Sequence, residues 1–253
     1  IILTVKIIGK ILEFDHDSSL MHYPLITMNR IKFALLNPSL ALRWIFRRGS
    51  ALTNIELSLI EKYLQGAGTI LEAGASDGVD TLRLALAFPK HTIVAIEPIK
   101  EQFEVMKQRV EHLQNVRTEN LALDKKSGIV EMFVGTSDSG IGGMGSSSLL
   151  EPKEHTSYFP EINFGTKQKV MAVSIEEYCS TNKIANVDLF WLDLQGYEME
   201  IIRNSSDFFR RKVNLIHMEV SRVELYKGSQ TYEEILTEMK SLGFVAIKKR
   251  VGR

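Results

Sequence analysis

Thr69-Ile-Leu-Glu-Ala-Gly-Ala-Ser-Asp-Gly-Val-Asp-Thr81 decides how the rest of the chain is read. Ile70 and Leu71 form a short apolar run, Gly74 and Gly78 frame a turn, and Val79, Leu82, Ala85 and Leu86 recur at helical spacing. A strand, a tight turn and a helix N-terminus in that order offer free backbone N–H groups to a polar ligand. A second apolar run, His91-Thr-Ile-Val-Ala-Ile96, follows the helix and ends in Glu97-Pro98. Glu97 stands 23 positions after Gly74, near the ~20-residue interval at which an acid ending the second strand takes ribose hydroxyls. The unit reads as a nucleoside-binding β-α-β.

The glycine spacing narrows the nucleoside. From Gly74 the chain runs Gly-Ala-Ser-Asp-Gly-Val, without the third glycine of the G-x-G-x-x-G turn that lets backbone approach a pyrophosphate. A carboxylate at Asp77 would repel a pyrophosphate, which disfavours a nicotinamide-dependent oxidoreductase. Glu72 and Asp77 suit a ligand with a cationic or zwitterionic end, such as the methionine part of S-adenosylmethionine. The plain alternative is a doubly wound protein whose first turn happens to be glycine-rich.

At 253 residues the chain fits one α/β domain with an N-terminal extension. We place a mainly helical extension at 1–66 and the binding domain at 67–253. Lys plus Arg and Asp plus Glu both number 31, so no global field draws in nucleic acid, and none is expected as a partner. The single cysteine, Cys179, has no intramolecular disulfide partner, and no Cys/His cluster has zinc spacing. This usage fits a reducing cytoplasm, and Cys179 reads as a small packed residue rather than a nucleophile. The apolar start, Ile1 to Ile8, is interrupted by Lys6, followed by Lys10, and far shorter than a membrane span, so no transmembrane segment is expected. It does not begin with Met, which suggests a trimmed or excised segment.

Residues 1 to about 30 suggest a strand or hairpin and a polar turn at Asp15–Ser19. Asn37-Pro38 opens a helix with Leu40, Trp44 and Ile45 on one face and Arg43, Arg47 and Arg48 in its last turn. The basic stretch 39–48 could pack on the domain, lie on a membrane surface or meet a partner enzyme. Thr53-Asn-Ile-Glu56 is a capping box, opening a helix through Gln65 that Gly66 ends. Beyond Glu97, Phe103, Met106, Val110 and Leu113 mark the core stripe of a helix from Ile99 to Leu113. Val116 to Leu123 reads as the third strand, with Ala122 and Leu123 at the adenine edge, and Gly128 to Val134 as an extra strand. The serine- and glycine-rich segment 137–148 reads as structureless, either a mobile flap over the site or a flexible surface insertion. Gln168 to Val173 is a further strand, and Ser174-Ile-Glu-Glu177 caps the next helix.

Val187-Asp-Leu-Phe-Trp-Leu-Asp193 is apolar except at Asp188 and Asp193, as in a strand buried on both faces of a parallel sheet. Ligands of doubly wound sheets lie beyond the carboxyl ends of the strands, which places Asp193 near Glu72, Gly74 and Glu97. Gly196 turns the chain into a helix carrying Glu198. The run Val213 to Val220 brings His217 and Glu219 to the same rim on one face. That rim could activate a hydroxyl, hold a metal ion, or be a carboxylate network that only anchors loops.

The segments Leu71–Thr81, Ala95–Pro98, Val187–Glu198, Met218–Val220 and Glu224-Leu-Tyr-Lys-Gly228, in this order, resemble an FkbM-type S-adenosylmethionine-dependent methyltransferase over about residues 68 to 247. The resemblance implies a seven-stranded class I methyltransferase fold, Rossmann-like and mostly parallel, that transfers a methyl group to a hydroxyl of a sugar, glycan or small natural product. S-adenosylmethionine is then the cofactor. The matching cofactor positions are Glu72, Gly74, Asp77, Gly78 and Glu97, extended by their neighbours Ala73, Thr81 and Pro98 and by Ala122 and Leu123. Asp193 lies between cofactor and acceptor as the expected base, with His217 as substitute and Glu219 and Glu198 positioning the substrate.

Ser147, Ser148 and Tyr197 join Glu198 as residues expected to meet the acceptor, and Trp191, Tyr158 and Tyr226 are further aromatics a sugar could use. Gln195 stands where many members carry a second acid, so a divalent ion, whose ligands would be Asp193 and Glu219, is not expected. The chain stops at Arg253, before the fold's usual last antiparallel strand, which is either missing or supplied differently. A non-catalytic module keeping the fold without the chemistry is the remaining alternative.

Overall fold

The computed structural model describes residues 2–7, 57–64, 66–137 and 141–250. The polar turn at 15–19, the helix from Asn37, the basic stretch 39–48 and the capping box at 53–56 lie outside them.

A seven-stranded sheet organises the chain in the order β10-β1-β9-β8-β2-β3-β4. Its strands are β1 (Ile2–Ile7), β2 (Thr69–Ala73), β3 (Thr92–Ile96), β4 (Val116–Glu119), β8 (Val187–Leu192), β9 (Val213–Glu219) and β10 (Phe244–Arg250). Strands β4, β3, β2, β8 and β9 are mutually parallel, and only β1 runs against its neighbours β9 and β10. The antiparallel strand expected at the C-terminus is thus supplied by the N-terminal segment, slotted between β9 and the last strand. Residues 2–7, assigned from sequence to an extension, are part of the sheet itself.

Strand alternation sorts the core into two layers. Ile70, Ile93, Leu189, Trp191 and Leu215 pack with Ile60 and Leu64 around α1 (Leu57–Glu61) and with Leu84, Ala85 and Phe88 around α2 (Val79–Ala87). Leu71, Ala73, Val94, Phe190, Leu192, Ile216 and Met218 face the other way. They meet α5 (Ile175–Thr181), α6 (Glu198–Asn204), α7 (Ser206–Lys212) and α8 (Tyr232–Ser241). Phe190 stacks on Phe209 of α7 with centroids 5.4 Å apart, a geometry worth about 0.5–1.5 kcal/mol beyond its area. The stripe predicted around Met106 and Val110 is the buried face of α3 (Lys100–Val110), with Phe103 and Leu113 packed beside it.

A second, three-stranded sheet holds β5 (Ala122–Leu123), β7 (Ile162–Val173) and β6 (Gly128–Ser137). The single strand predicted from Val116 to Leu123 is therefore two strands in two sheets, broken at Asn120-Leu121. The segment after β6 also differs from expectation. Ile141–Ser146 forms a 3-10 helix lying on β6, and residues 138–140 are outside the described set. Its glycines permit the contact instead of preventing order: a Cβ on Gly143 would stand 2.4 Å from the Thr136 carbonyl carbon, and one on Gly135 2.4 Å from the Gly143 oxygen. A short helix, α4 (His155–Tyr158), precedes β7.

Candidate active site

The site begins where β2 and β8 end side by side. Asp193 donates its backbone N–H to the Ala73 oxygen at 2.9 Å, and Gly74 donates to Ile96 of β3 at 3.0 Å. Gly74 is left-handed at φ 83°, and a Cβ there would lie 1.8 Å from the Asp193 carbonyl oxygen. Only glycine lets the two strand ends close to this distance. Gly78, at φ 76°, opens α2, and Ser76 between the glycines is also left-handed at φ 48°.

Glu97 closes the turn from the next strand. Its Oε2 accepts the Ser76 N–H and its Oε1 the Ile99 N–H, both at 2.8 Å. Asn120 holds the same corner, its Nδ2 donating to the carbonyls of Glu97 at 2.8 Å and Pro98 at 3.0 Å. Burial pushes the Glu97 carboxyl up to about 7, against the pull of the two N–H donors. Each oxygen keeps a lone pair, which is what two adjacent ribose hydroxyls require.

Asp77 is placed otherwise than its charge suggested. Its Oδ2 is paired with Arg109 of α3 at 2.7 Å and its Oδ1 accepts the Val79 N–H at 3.2 Å. The carboxylate fastens the start of α2 to α3, and its negative charge is matched by an arginine 32 positions away.

Glu72, Trp191 and His217 stand in one row across β2, β8 and β9. Burial holds the Glu72 carboxyl well above the usual range, reinforced by Asp80, Asp193 and Glu97 and opposed by the Thr81 hydroxyl. Its Oε2 is buried without a hydrogen-bond partner. His217 stacks on the Trp191 ring with centroids 3.8 Å apart, and burial lowers its pKa to about 3. The imidazole is neutral at every physiological pH and a poor proton acceptor. Glu219 ends the strand exposed.

Asp193 is perturbed in the same direction as Glu72. Burial raises its pKa well above the ordinary value, the carboxylates of Glu219, Glu198 and Asp80 raise it further, and a hydrogen bond from Gln195 lowers it. That bond, Gln195 Nε2 to Asp193 Oδ1, is 2.6 Å. Glu198 turns back onto the same loop, accepting the Leu194 N–H at 2.7 Å, with its carboxyl pushed up to about 7 by burial. Among the described residues no group of three His, Cys, Asp or Glu side chains is arranged to hold a metal ion.

The residues expected to meet the acceptor have internal partners. The Ser148 hydroxyl, fully buried, donates to the Gln195 carbonyl at 2.9 Å and accepts the Leu150 N–H at 3.1 Å. Ser147 donates to the Met144 carbonyl and accepts the Gly135 N–H. Tyr197 donates to Asp124, tying α6 to the loop after β5. Ala122 and Leu123 are buried in the second sheet, and the segment's Gly145 comes within 3.7 Å of the Ser76 hydroxyl when given a Cβ. The serine-rich segment therefore comes up to the turn between β2 and α2, as an ordered strap. Sequence reasoning missed Ser76, Asp80, Arg109 and Asn120, and passed over the contacts of Gln195 and Tyr226. Asn120 had a signal: it closes the polar run from Arg117 just before the apolar Leu121-Ala-Leu123.

The model of the methyltransferase FkbM domain matches residues 72–246. The chain belongs to the FkbM methyltransferase family. The 2-O-methyltransferase NoeI of Sinorhizobium fredii (strain NBRC 101917 / NGR234) is 27% identical to this FkbM chain over 191 residues, 75% of this chain and 77% of NoeI. Among solved structures, coclaurine N-methyltransferase, bound to N-methylheliamine and SAH, is 14% identical over 37% of this chain and 40% of its own, with a TM-score of 0.24. The 1,6-didemethyltoxoflavin-N1-methyltransferase of Burkholderia thailandensis, with bound 1,6-didemethyltoxoflavin and S-adenosylhomocysteine, is 11% identical over 68% of this chain and 83% of its own, with a TM-score of 0.25. At those scores neither positions a residue of this FkbM protein. No helix among its described residues is long and apolar enough to cross a membrane.

Proposed function

We propose that this methyltransferase moves a methyl group from S-adenosylmethionine to a hydroxyl of a sugar, glycan or small natural product, with Asp193 as the general base. The observation that carries the reading is the carboxylate cluster at the ends of β2, β8 and β9. Glu72 is buried with an unpartnered oxygen, and Asp193 is surrounded by Glu198, Glu219 and Asp80. Like charges gathered this closely need a positive one, and the sulfonium and ammonium of the cofactor fit that donor set. Bound S-adenosylmethionine supplies a methyl group already activated on a sulfonium, so the protein's tasks are alignment and proton removal.

Glu97 would take the ribose hydroxyls on the lone pairs that Ser76 and Ile99 leave open. Asp193 would receive the acceptor's proton as the new O–C bond forms and the S–C bond breaks, leaving a neutral thioether. A carboxylate with a raised pKa is a better acceptor of that proton, once ionised, than an exposed one. His217, neutral and stacked, is the weaker candidate. NoeI supports oxygen as the acceptor atom. Tyr158 and Phe159, exposed beside the cluster of His155, Phe164 and Tyr226, offer ring faces to a sugar, whereas Trp191, Tyr197 and Tyr226 are buried.

A calorimetric titration with S-adenosylhomocysteine and with NADH, repeated on Glu97→Ala, tests the cofactor. Binding of the former that Glu97→Ala abolishes supports the reading, and binding of NADH alone would overturn it. A screen of sugar and glycolipid acceptors with labelled S-adenosylmethionine then tests the acceptor class.

A further inference from the structure

We propose that Gln195 and Tyr226 are positioning residues that hold the Asp193 carboxylate ionised and fixed in the site. The inference rests on the methyl-transfer reading, in which Asp193 takes the acceptor's proton. The turn after β8 bends through two successive left-handed residues, Gln195 at φ 52° and Gly196 at φ 93°. A non-glycine residue is strained in that region, so a glutamine at this position calls for a job for its side chain.

The amide has one. Its Nε2 donates to Asp193 Oδ1 at 2.6 Å, and its Oε1 accepts from the Tyr226 hydroxyl at 3.1 Å. Nitrogen and oxygen sit on one planar group, so the partner of the oxygen decides where the N–H points. The single proton of the Tyr226 hydroxyl is shared between this oxygen and the Ser146 carbonyl oxygen, the shorter contact at 2.7 Å, which joins the strap to the same relay. The ring cannot drift: it is 1% exposed, 5.2 Å from the His155 ring and 6.2 Å from Phe164. Ser148 fixes the Gln195 backbone from the other side. A packed ring thus aims a hydroxyl, the hydroxyl aims an amide, and the amide aims a carboxylate.

The groups facing Asp193 from the surrounding elements make that amide decisive. Glu72 of β2, Asp80 of α2, Glu198 of α6 and Glu219 of β9 are all acidic, and Tyr226 is a further titratable neighbour. Each acid opposes the charge on Asp193, and the Gln195 hydrogen bond favours it.

The test follows the Asp193 carboxyl directly. Protein labelled with carboxyl-13C aspartate is titrated by NMR, with the Asp193 signal assigned by its loss in Asp193→Asn and the folding of each variant checked by S-adenosylhomocysteine affinity. Gln195→Met is expected to raise the titration midpoint. Tyr226→Phe, which deletes one oxygen, is expected to raise it by less, and the double variant to titrate with Gln195→Met. An unchanged midpoint in Gln195→Met overturns the proposal. A wild-type midpoint in Tyr226→Phe, or a double-variant shift equal to the two single shifts added, overturns the relay. If Tyr226→Phe does not fold, Gln195→Met still decides whether the amide holds the charge. Full turnover by Asp193→Asn would instead remove the base assignment while leaving the midpoints standing, so the two failures are told apart.

Discussion

Strand β8 carries an aspartate near its start and another just beyond its end, and the chain treats them in opposite ways. Asp188, at the amino end, accepts the Thr69 N–H on Oδ2 at 3.0 Å and the Asn214 amide on Oδ1 at 3.1 Å. His91 stands 3.9 Å away, and Gly68 leaves room for the carboxylate, since a Cβ there would sit 1.6 Å from it. The cleft it borders, about 420 Å³ between the starts of β2, β3 and β8, also holds Arg117 and Lys183. Asp193, at the carboxyl end, has one amide donor and a ring of acids. A half-buried carboxylate whose oxygens are met by the fold is a structural pin. One left with a surplus of like charge is, on the proposed reading, where a ligand is met.

The largest expected effect tests the active end of that contrast. Asp193→Asn should lower acceptor turnover by about 10²–10⁴-fold with S-adenosylhomocysteine affinity retained, and steady-state kinetics beside calorimetry would show it. Asp188→Ala should do the reverse. Leaving the Thr69 N–H and Asn214 amide without their acceptor should cost about 2–3 kcal/mol in denaturant unfolding, with turnover per folded molecule unchanged. A loss of turnover without a loss of stability would erase the distinction between the two ends.

The pH dependence sharpens it. Glu97 and Glu198 are pushed up to about 7, and Glu72 and Asp193 are raised as well. The folded state therefore holds more protons than the unfolded one from about pH 4 to about 7, and these groups lower stability as pH rises through that window. S-adenosylmethionine should relieve the strain where the carboxylates are ionised. Its thermal stabilisation is expected to grow from pH 5.5 to 8, and to grow more than that of the uncharged-sulfur product. The smallest effect belongs to His217. Its pKa of about 3 makes folding lose stability as pH falls below about 6.5. His217→Phe should flatten that acid-side loss and leave the pH dependence of turnover in place, and a displaced rate profile would return His217 to the list of bases.

Much of this was legible along the chain. The β2–α2–β3 unit, Glu97 at its end, the buried strand carrying Asp188 and Asp193, and His217 beside Glu219 all follow from periodicities of two or 3.6 and from local turns. What stayed hidden depends on partners distant in sequence. Nothing near Asp77 announces Arg109, and nothing near Ser148 announces the Gln195 carbonyl, so the internal partner of each came into view only with the fold. Gln195 was noticed for the acid it lacks, while the donor it offers emerges only when Tyr226 is brought beside it. The strap was misjudged because glycine-rich composition was taken as disorder. Gly135 and Gly143 are small because backbone meets backbone there.

The N-terminal strand has a consequence for how the protein is made. β1 leaves the ribosome before any other strand of the sheet, yet both of its neighbours, β9 and β10, come after all the others. The two edges that bracket it can form only when about two hundred intervening residues have been added, and pairings at such sequence separation are slow to close. Until then the cofactor half around β2 and β3 can assemble alone, with β9 showing an open edge to any other nascent chain. Closure of the sheet thus waits for β9 and β10, and a chaperone that shields the first strand, or the edge of β9, would act before that step.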